Sequence, residues 1–157
     1  MLTDKLKDLL KSSKKGLLLV ITIGNSFRSD DGVGPYIDRQ VKKYKKNLII
    51  LNAEDQPESI IDKATQLKPD KVVIIDAADF GGMPGEIKLI EKKDIPDTSL
   101  STHSFSPNII AAMLEEDAGA AVHFLGIQPE SIQLREGLSE PVKKAAKKII
   151  SCLEEKK

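Results

Sequence analysis

Three short apolar runs, at residues 17–23, 48–51 and 72–75, recur with helical patterns between them, and this alternation constrains the fold more than any other feature of the chain. The first, Leu17-Leu18-Leu19-Val20-Ile21-Thr22-Ile23, has no alternating polar face. It therefore predicts a strand covered on both sides, as strands of parallel sheets are. Leu48-Ile49-Ile50-Leu51 and Val72-Val73-Ile74-Ile75 repeat the pattern. Between them, Ile37, Val41 and Tyr44 fall on one helical face, and Ile60, Ile61 and Ala64 mark a second helix over residues 57–67. Strands and helices alternating every ~25 residues are the mark of βαβ units.

The second half continues this order with one exception. Gly81-Gly82-Met83-Pro84-Gly85 is rich in turn formers, and residues 86–90 alternate polar and apolar, which predicts an edge strand with one wet face. Pro107 suits the first turn of a helix carrying Ile109, Ile110, Met113 and Leu114, with Ser106 as its cap. Residues 121–127 read as another buried strand. Val142, Ala145, Ala146, Ile149, Ile150 and Leu153 form the stripe of a final helix, capped by Ser139 with Pro141 just inside it. At the other end, Leu2, Leu6, Leu9 and Leu10 predict an amphipathic helix at about residues 2–14, stopped by Gly16 and packed on the domain. The expectation is a single α/β domain over residues 1–157: three α/β/α layers around a twisted, mostly parallel sheet with one antiparallel edge element.

Composition removes several function classes. Twenty-four basic residues balance 24 acidic ones, which argues against a nucleic-acid surface. A lone Cys152 cannot form an internal disulfide or a thiolate zinc site, and it fits a reducing cytoplasm. The apolar run at residues 17–23 is preceded by Asp4 and Asp8 and followed by no small-x-small site, so it is not a signal peptide. No stretch approaches the ~20 apolar residues of a membrane span, and membrane insertion is not expected.

In open α/β sheets ligands sit beyond the carboxyl ends of the strands, so the residues that follow each apolar run matter most. After the first run comes Gly24-Asn25-Ser26-Phe27-Arg28-Ser29-Asp30-Asp31-Gly32-Val33-Gly34; after the third, Asp76-Ala77-Ala78-Asp79; before the later helix, Ser101-Thr102-His103-Ser104. The first loop lacks both the glycine spacing of a dinucleotide site and the Gly-Lys-Ser/Thr ending of a phosphate loop, and its paired carboxylates suit a cation better. Asp31, Asp76 and His103 can supply two oxygens and one imidazole nitrogen to such a cation, a donor set that leaves the metal open. Taken singly, Asp30 and Asp31 also suit capping of a helix that starts near Pro35, Asp76 a turn, and His103 a solvated loop. His123 reads as a hydrogen-bonded sheet histidine, and Cys152 sits in no nucleophile's context. Ser26 and Ser104 lack a nucleophile elbow. The lysines of the last helix read as a solvated face.

Ile23-Gly24-Asn25, Ser29-Asp30-Asp31-Gly32-Val33-Gly34-Pro35, Val73-Ile74-Ile75-Asp76-Ala77-Ala78-Asp79, Pro84-Gly85-Glu86-Ile87, Ser101-Thr102-His103 and Phe124-Leu125-Gly126-Ile127-Gln128-Pro129 occur in this order. Together they resemble the nickel-iron hydrogenase maturation endopeptidases, most of all the branch serving the hydrogenase 3 (formate hydrogenlyase) large subunit. The resemblance implies one cut that removes the C-terminal extension of a hydrogenase large-subunit precursor after nickel insertion. It implies nickel contact by Asp31, Asp76 and His103, with the metal supplied by the substrate and with Asp31 and Asp76 catalytic. Gly24, Asn25, Asp30 and Gly32 are implied as substrate-binding or loop-supporting positions. Many relatives have Asp-Gly-Gly after the second strand, where this chain has Asn52-Ala53-Glu54. A non-catalytic metal-binding or chaperone module, and a generic metallohydrolase, are the rival readings. The sequence does not set the oligomeric state.

Overall fold

The structure is a computed structural model that describes residues 2–11, 16–42, 47–54, 60–95 and 107–155. Its five strands are β1 (Leu18–Ile23), β2 (Leu48–Glu54), β3 (Lys71–Ala77), β4 (Ile87–Ile90) and β5 (Ala121–Ile127). They form one sheet in the order β2-β1-β3-β5-β4. β1 runs parallel to β2 and β3, β3 runs parallel to β5, and only β4 at the edge is antiparallel. The chain leaves β1 to one side for β2 and returns on the other side as β3. The carboxyl ends of β1 and β3 thus flank the switch point, where a crevice opens in folds of this type.

Among the described residues five α-helices cover the two faces: α1 (Asp4–Leu9), α2 (Val33–Gln40), α3 (Ile61–Leu67), α4 (Pro107–Ala118) and α5 (Glu140–Glu154). Alternate strand residues separate two cores. Val20, Val73 and Leu125 pack with α1, α2 and α5, while Ile21, Ile74 and Phe124 pack with α3 and α4. The all-buried β1 therefore has a helix layer on each side, the arrangement its unbroken apolar run predicts. The three layers, the mostly parallel sheet and the antiparallel edge strand agree with the sequence reading.

Several boundaries differ, each for a local reason. The first helix spans Asp4–Leu9 rather than residues 2–14; Thr3 caps its start, accepting from the Leu6 N–H at 3.3 Å. The Lys71 ammonium, from the start of β3, donates to the carbonyls of Asp8 and Lys11 at 3.3 and 3.2 Å, satisfying groups a longer helix would have used itself. Leu2, Leu6, Leu9 and Leu10 are all buried in the α2/α5 core, so the N-terminal segment is packed on the domain. α2 ends at Gln40 with Val41 extended, and Tyr44 lies outside the described residues, as do residues 57–59 of the next helix and the expected cap Ser106. In β4 the wet face shrinks to Lys88, because Ile90 on the same side is buried against the α4 layer. Ile109, expected in the stripe of α4, is 50% exposed, while Ile110 and Leu114 fill the core. Ser139 does stand at the N-cap of α5, but its hydroxyl donates to Asp30 at 2.8 Å instead of capping the helix.

Candidate functional site

Between β1 and α2 the chain turns back on itself with almost no spare room, and glycine makes this possible. Gly24 has φ +145°, a conformation open to glycine alone, and a Cβ there would stand 2.0 Å from the Asp31 carbonyl oxygen. A Cβ on Gly34 would meet the Ile23 carbonyl at 2.4 Å, so α2 starts flush against the end of β1. Neighbouring β2 carries a register shift, with Thr22 opposite Asn52 and Ile23 opposite Glu54. The Asn52 side-chain oxygen accepts from the Thr22 hydroxyl at 3.1 Å and from the Glu54 N–H at 3.2 Å, and the Glu54 carbonyl accepts from the Gly24 N–H. Glu54 takes a left-handed φ of +51° in doing so. The Asn-Ala-Glu segment thus supports the Gly24 turn from β2.

Asp30 and Asp31 occupy a 3-10 turn, Ser29–Gly32, and both are fully buried. Neither caps α2, whose N-cap position is held by Gly32 without a side-chain hydrogen bond. This corrects the capping reading; a tight turn has been inserted between the strand and the helix. The two carboxylates then diverge. Asp30 faces the segment joining β5 to α5: Oδ1 accepts from the Ser139 N–H at 2.7 Å, and Oδ2 accepts from the N–H groups of Glu130 and Ser131 and from the Ser139 hydroxyl. Asp31 Oδ2 accepts from the Asn25 N–H at 3.1 Å, and the Asn25 side chain accepts in turn from the Phe27 N–H. The turn that carries Asp31 packs against β3.

Asp76 is the penultimate residue of β3, only 2% exposed, opposite Gly126 of β5. The strand end thus holds the acid inside the sheet rather than in the loop that follows. Asp31 and Asp76 lie at the carboxyl ends of adjacent strands, on either side of the switch point. Carboxylate oxygens at such a point are a donor set that suits a cation. His103 lies outside the described residues; among those described, no group of three or more His, Cys, Asp or Glu side chains forms a metal cluster.

Two supports escaped the sequence reading. The first is Gln128, 7% exposed, just beyond β5. Its Oε1 accepts from the N–H groups of Phe80 and Gly82 at 2.9 and 3.0 Å, and its Nε2 donates to Asp79 at 3.0 Å. The hydrogen bond from Gln128, followed by that from the Gly81 N–H, holds the Asp79 carboxyl below its ordinary pKa. The second is a backbone zipper: Ser29 N–H donates to the Arg135 carbonyl, Arg135 N–H to the Phe27 carbonyl, and Asp30 N–H to the Ser131 carbonyl. Gln128 had a signal, its place directly after a buried strand within the Gly126-Ile127-Gln128-Pro129 motif. The zipper had none, since its partners stand about a hundred residues apart.

The remaining candidates sit apart from this crevice. His123 on β5 is partly buried, and desolvation, followed by the charge of Lys71, lowers its pKa, so it stays neutral at physiological pH. Cys152 is buried in the α1/α5 core, where burial raises its thiol pKa; a protonated, enclosed thiol is not a nucleophile.

Comparison with known proteins gives a consistent result. A model of the hydrogenase maturation protease family (HycI) matches residues 35–156. The chain is 33% identical over 138 residues to the hydrogenase 3 maturation protease of Escherichia coli, covering 87% of this chain and 88% of that protein. It is 34% identical over 159 residues to a putative hydrogenase maturation protease of Methanocaldococcus jannaschii, covering 96% and 92% respectively. Among solved structures, the [NiFe] hydrogenase maturation protease HycI of Thermococcus kodakarensis superposes with a TM-score of 0.78 at 32% identity, over 97% of this chain and 100% of that one.

Proposed function

The chain belongs to the hydrogenase maturation protease family and is a peptidase, and from that premise we propose that it removes the C-terminal extension of a nickel-iron hydrogenase large-subunit precursor once nickel has been inserted. The observation that supports this reading is the pair of buried carboxylates, Asp31 and Asp76, at adjacent strand ends of the switch point. Family membership sets aside the rival of a non-catalytic module.

In the proposed reaction nickel is part of the substrate, held by thiolates of the precursor. An ion of intermediate character accepts both thiolate and carboxylate or imidazole ligands, so positions left open by the precursor's thiolates can be filled from this chain. Asp31 and Asp76, with His103, would complete the coordination of that nickel, so that the scissile bond is held for cutting only when the metal is present. Held there, nickel would supply polarisation of the scissile carbonyl or a lowered pKa for an attacking water. Water adds to the carbonyl carbon, the C–N bond breaks, and the proton released from water passes to the leaving amine, with Asp31 or Asp76 as the base that carries it. This is an aspartate-dependent peptidase in which the substrate brings the metal. Asn25 orients the Asp31 carboxyl group through its N–H, and Gly24 and Gly32 allow the close turn that makes this contact. Asp30 holds the loop in place. The reaction is placed in the cytoplasm, where a chain whose single cysteine is buried and free is at home; among the described residues no helix is long and apolar enough to cross a membrane.

The test is incubation of the purified protein with nickel-loaded and nickel-free precursor, read as an electrophoretic mobility shift. Cutting of the loaded form alone is expected; equal cutting of both would overturn gating by nickel. Asp31→Asn, which keeps the shape and removes the charge, is expected to lower cleavage of the loaded precursor by at least ~100-fold, the scale of losing a positioned acid-base group. Full activity in that variant would reduce Asp31 to a structural residue.

A further inference from the structure

The chain uses lysine for 21 of its 24 cations, and its only three arginines are Arg28, Arg39 and Arg135. All three lie around the Asp31 loop. Arg28 and Arg135 pair as neighbours in a parallel bridge between the two zippered segments, which puts two cationic residues at adjacent backbone positions. Arg39, on the last turn of α2, reaches back to the Ser26 hydroxyl at 3.4 Å and lines a cavity of about 230 Å³ together with Ser29, Tyr36, Leu138 and Lys143. Among the described residues no carboxylate lines this cavity, and none of the three arginines, nor Lys143, forms an ion pair.

Such a placement is costly for the protein alone. Like charges set directly opposite each other destabilise a strand pair, and arginine in place of lysine gives advantage mainly where a planar fork meets a carboxylate or phosphate. The neighbours are apolar: Phe27 and Leu134, one residue before the paired arginines, are 65% and 77% exposed. In a molecule of zero net charge this rim is a cationic, partly apolar surface beside a crevice of buried acids. We propose that Arg39 and Lys143, with the Arg28/Arg135 pair at the rim, form a carboxylate-binding subsite that seats the precursor's C-terminal extension and sets its direction across the crevice. This rests on the peptidase reading above and adds a second point of recognition: the acids read the metal, and the arginines read the tail. Tyr36 and Ser26 offer hydroxyl donors to the same carboxylate, and charge-assisted bonds from a guanidinium fork give it a fixed orientation.

The experiment has two arms. In the first, the isolated extension is titrated calorimetrically into wild-type protein, Arg39→Gln, Arg39→Lys and the exposed-helix control Lys147→Gln. The peptide is used with a free terminus, with an amidated terminus, and with its Asp and Glu replaced by Asn and Gln. Arg39→Gln is expected to weaken binding about tenfold, the scale of one hydrogen bond to a charged group, and to flatten its salt dependence. Arg39→Lys recovers part of the loss, and the control changes nothing. Weaker binding of the amidated peptide identifies the chain terminus as the ligand, and weaker binding of the Asn/Gln peptide identifies acidic side chains; either supports the subsite. Equal binding by wild type and Arg39→Gln, or of all three peptides, overturns it. In the second arm, cleavage of loaded precursor by Arg39→Gln is expected to show a raised KM with kcat retained. A structural role for Arg39 at the end of its helix would leave KM untouched. If wild-type protein cuts no precursor while arginine-dependent peptide binding persists, the proposed reaction fails and the subsite stands; the reverse result separates them in the other direction.

Discussion

Two loops leave the central strands beside the switch point, and the same segment after β5 braces both, in opposite directions. In the first, residues 24–34, a buried carboxylate of the loop reaches out: Asp30 accepts three N–H groups and a hydroxyl from the segment between β5 and α5. In the second, residues 78–86, a neutral amide reaches in: Gln128 accepts from Phe80 and Gly82 and donates to Asp79. The difference is the chemistry of the brace. A buried carboxylate tolerates only donors around it and becomes costly when any is missing, whereas an amide with one exposed partner yields at lower cost. The loop with the charged brace is the one that carries Asp31.

This comparison predicts a ranking. Asp30→Asn places an N–H₂ where an oxygen accepted backbone donors, and it is expected to cost about 3 kcal/mol in denaturant unfolding. A cost below that of the Gln128 variant would break the comparison. Gln128→Ala removes three neutral or singly charged hydrogen bonds and is expected to cost about 2 kcal/mol, with less effect on the Asp31 side. It also carries a pH signature. The native Asp79 carboxyl is held below its ordinary pKa, so its contribution is present above the unfolded-state value and is lost as pH falls through the lower native one. In Gln128→Ala the Asp79 titration followed by NMR should move up towards the ordinary value, and the acid-side slope of stability should flatten. An unmoved Asp79 would mean the Gly81 N–H alone holds it. The smallest expected effect is at Glu54, whose left-handed φ suits glycine. Glu54→Gly should stabilise by up to ~1 kcal/mol while leaving the Gly24 contact intact, measured by thermal unfolding.

The contrast also explains which parts were legible in the sequence. β1 and β3 could be read because two-sided burial leaves their apolar runs uninterrupted, and Asp31 and Asp76 because they follow those runs. The residue-by-residue roles of the two adjacent aspartates could not be separated, since what distinguishes Asp30 is a set of donors 100 to 109 positions away. For the same reason Ser139 read as a helix cap by local rule, while its hydroxyl serves Asp30. The first helix is shorter than its leucine pattern because nothing in residues 2–16 announces that Lys71 takes up the carbonyls of Asp8 and Lys11. Ile109 fitted the periodic stripe, yet the stripe was one residue too wide for the surface it covers. The family resemblance, which rests on short motifs in order, agreed with the family matches found for the chain.

The ties of Asp30 have a consequence for how the molecule comes into being. The backbone groups that surround its carboxylate belong to residues 130, 131 and 139, so they are synthesised at least a hundred residues after the aspartate itself. At translation rates of ~5–20 residues per second, the nascent chain waits several seconds with the first loop unbraced. Contacts closing so long a span also form late in folding, because the entropy of loop closure must be met before they contribute. A half-made or half-folded chain therefore has the aspartates but no fixed place for them, and the ability to cut a peptide bond arrives only with the last part of the fold.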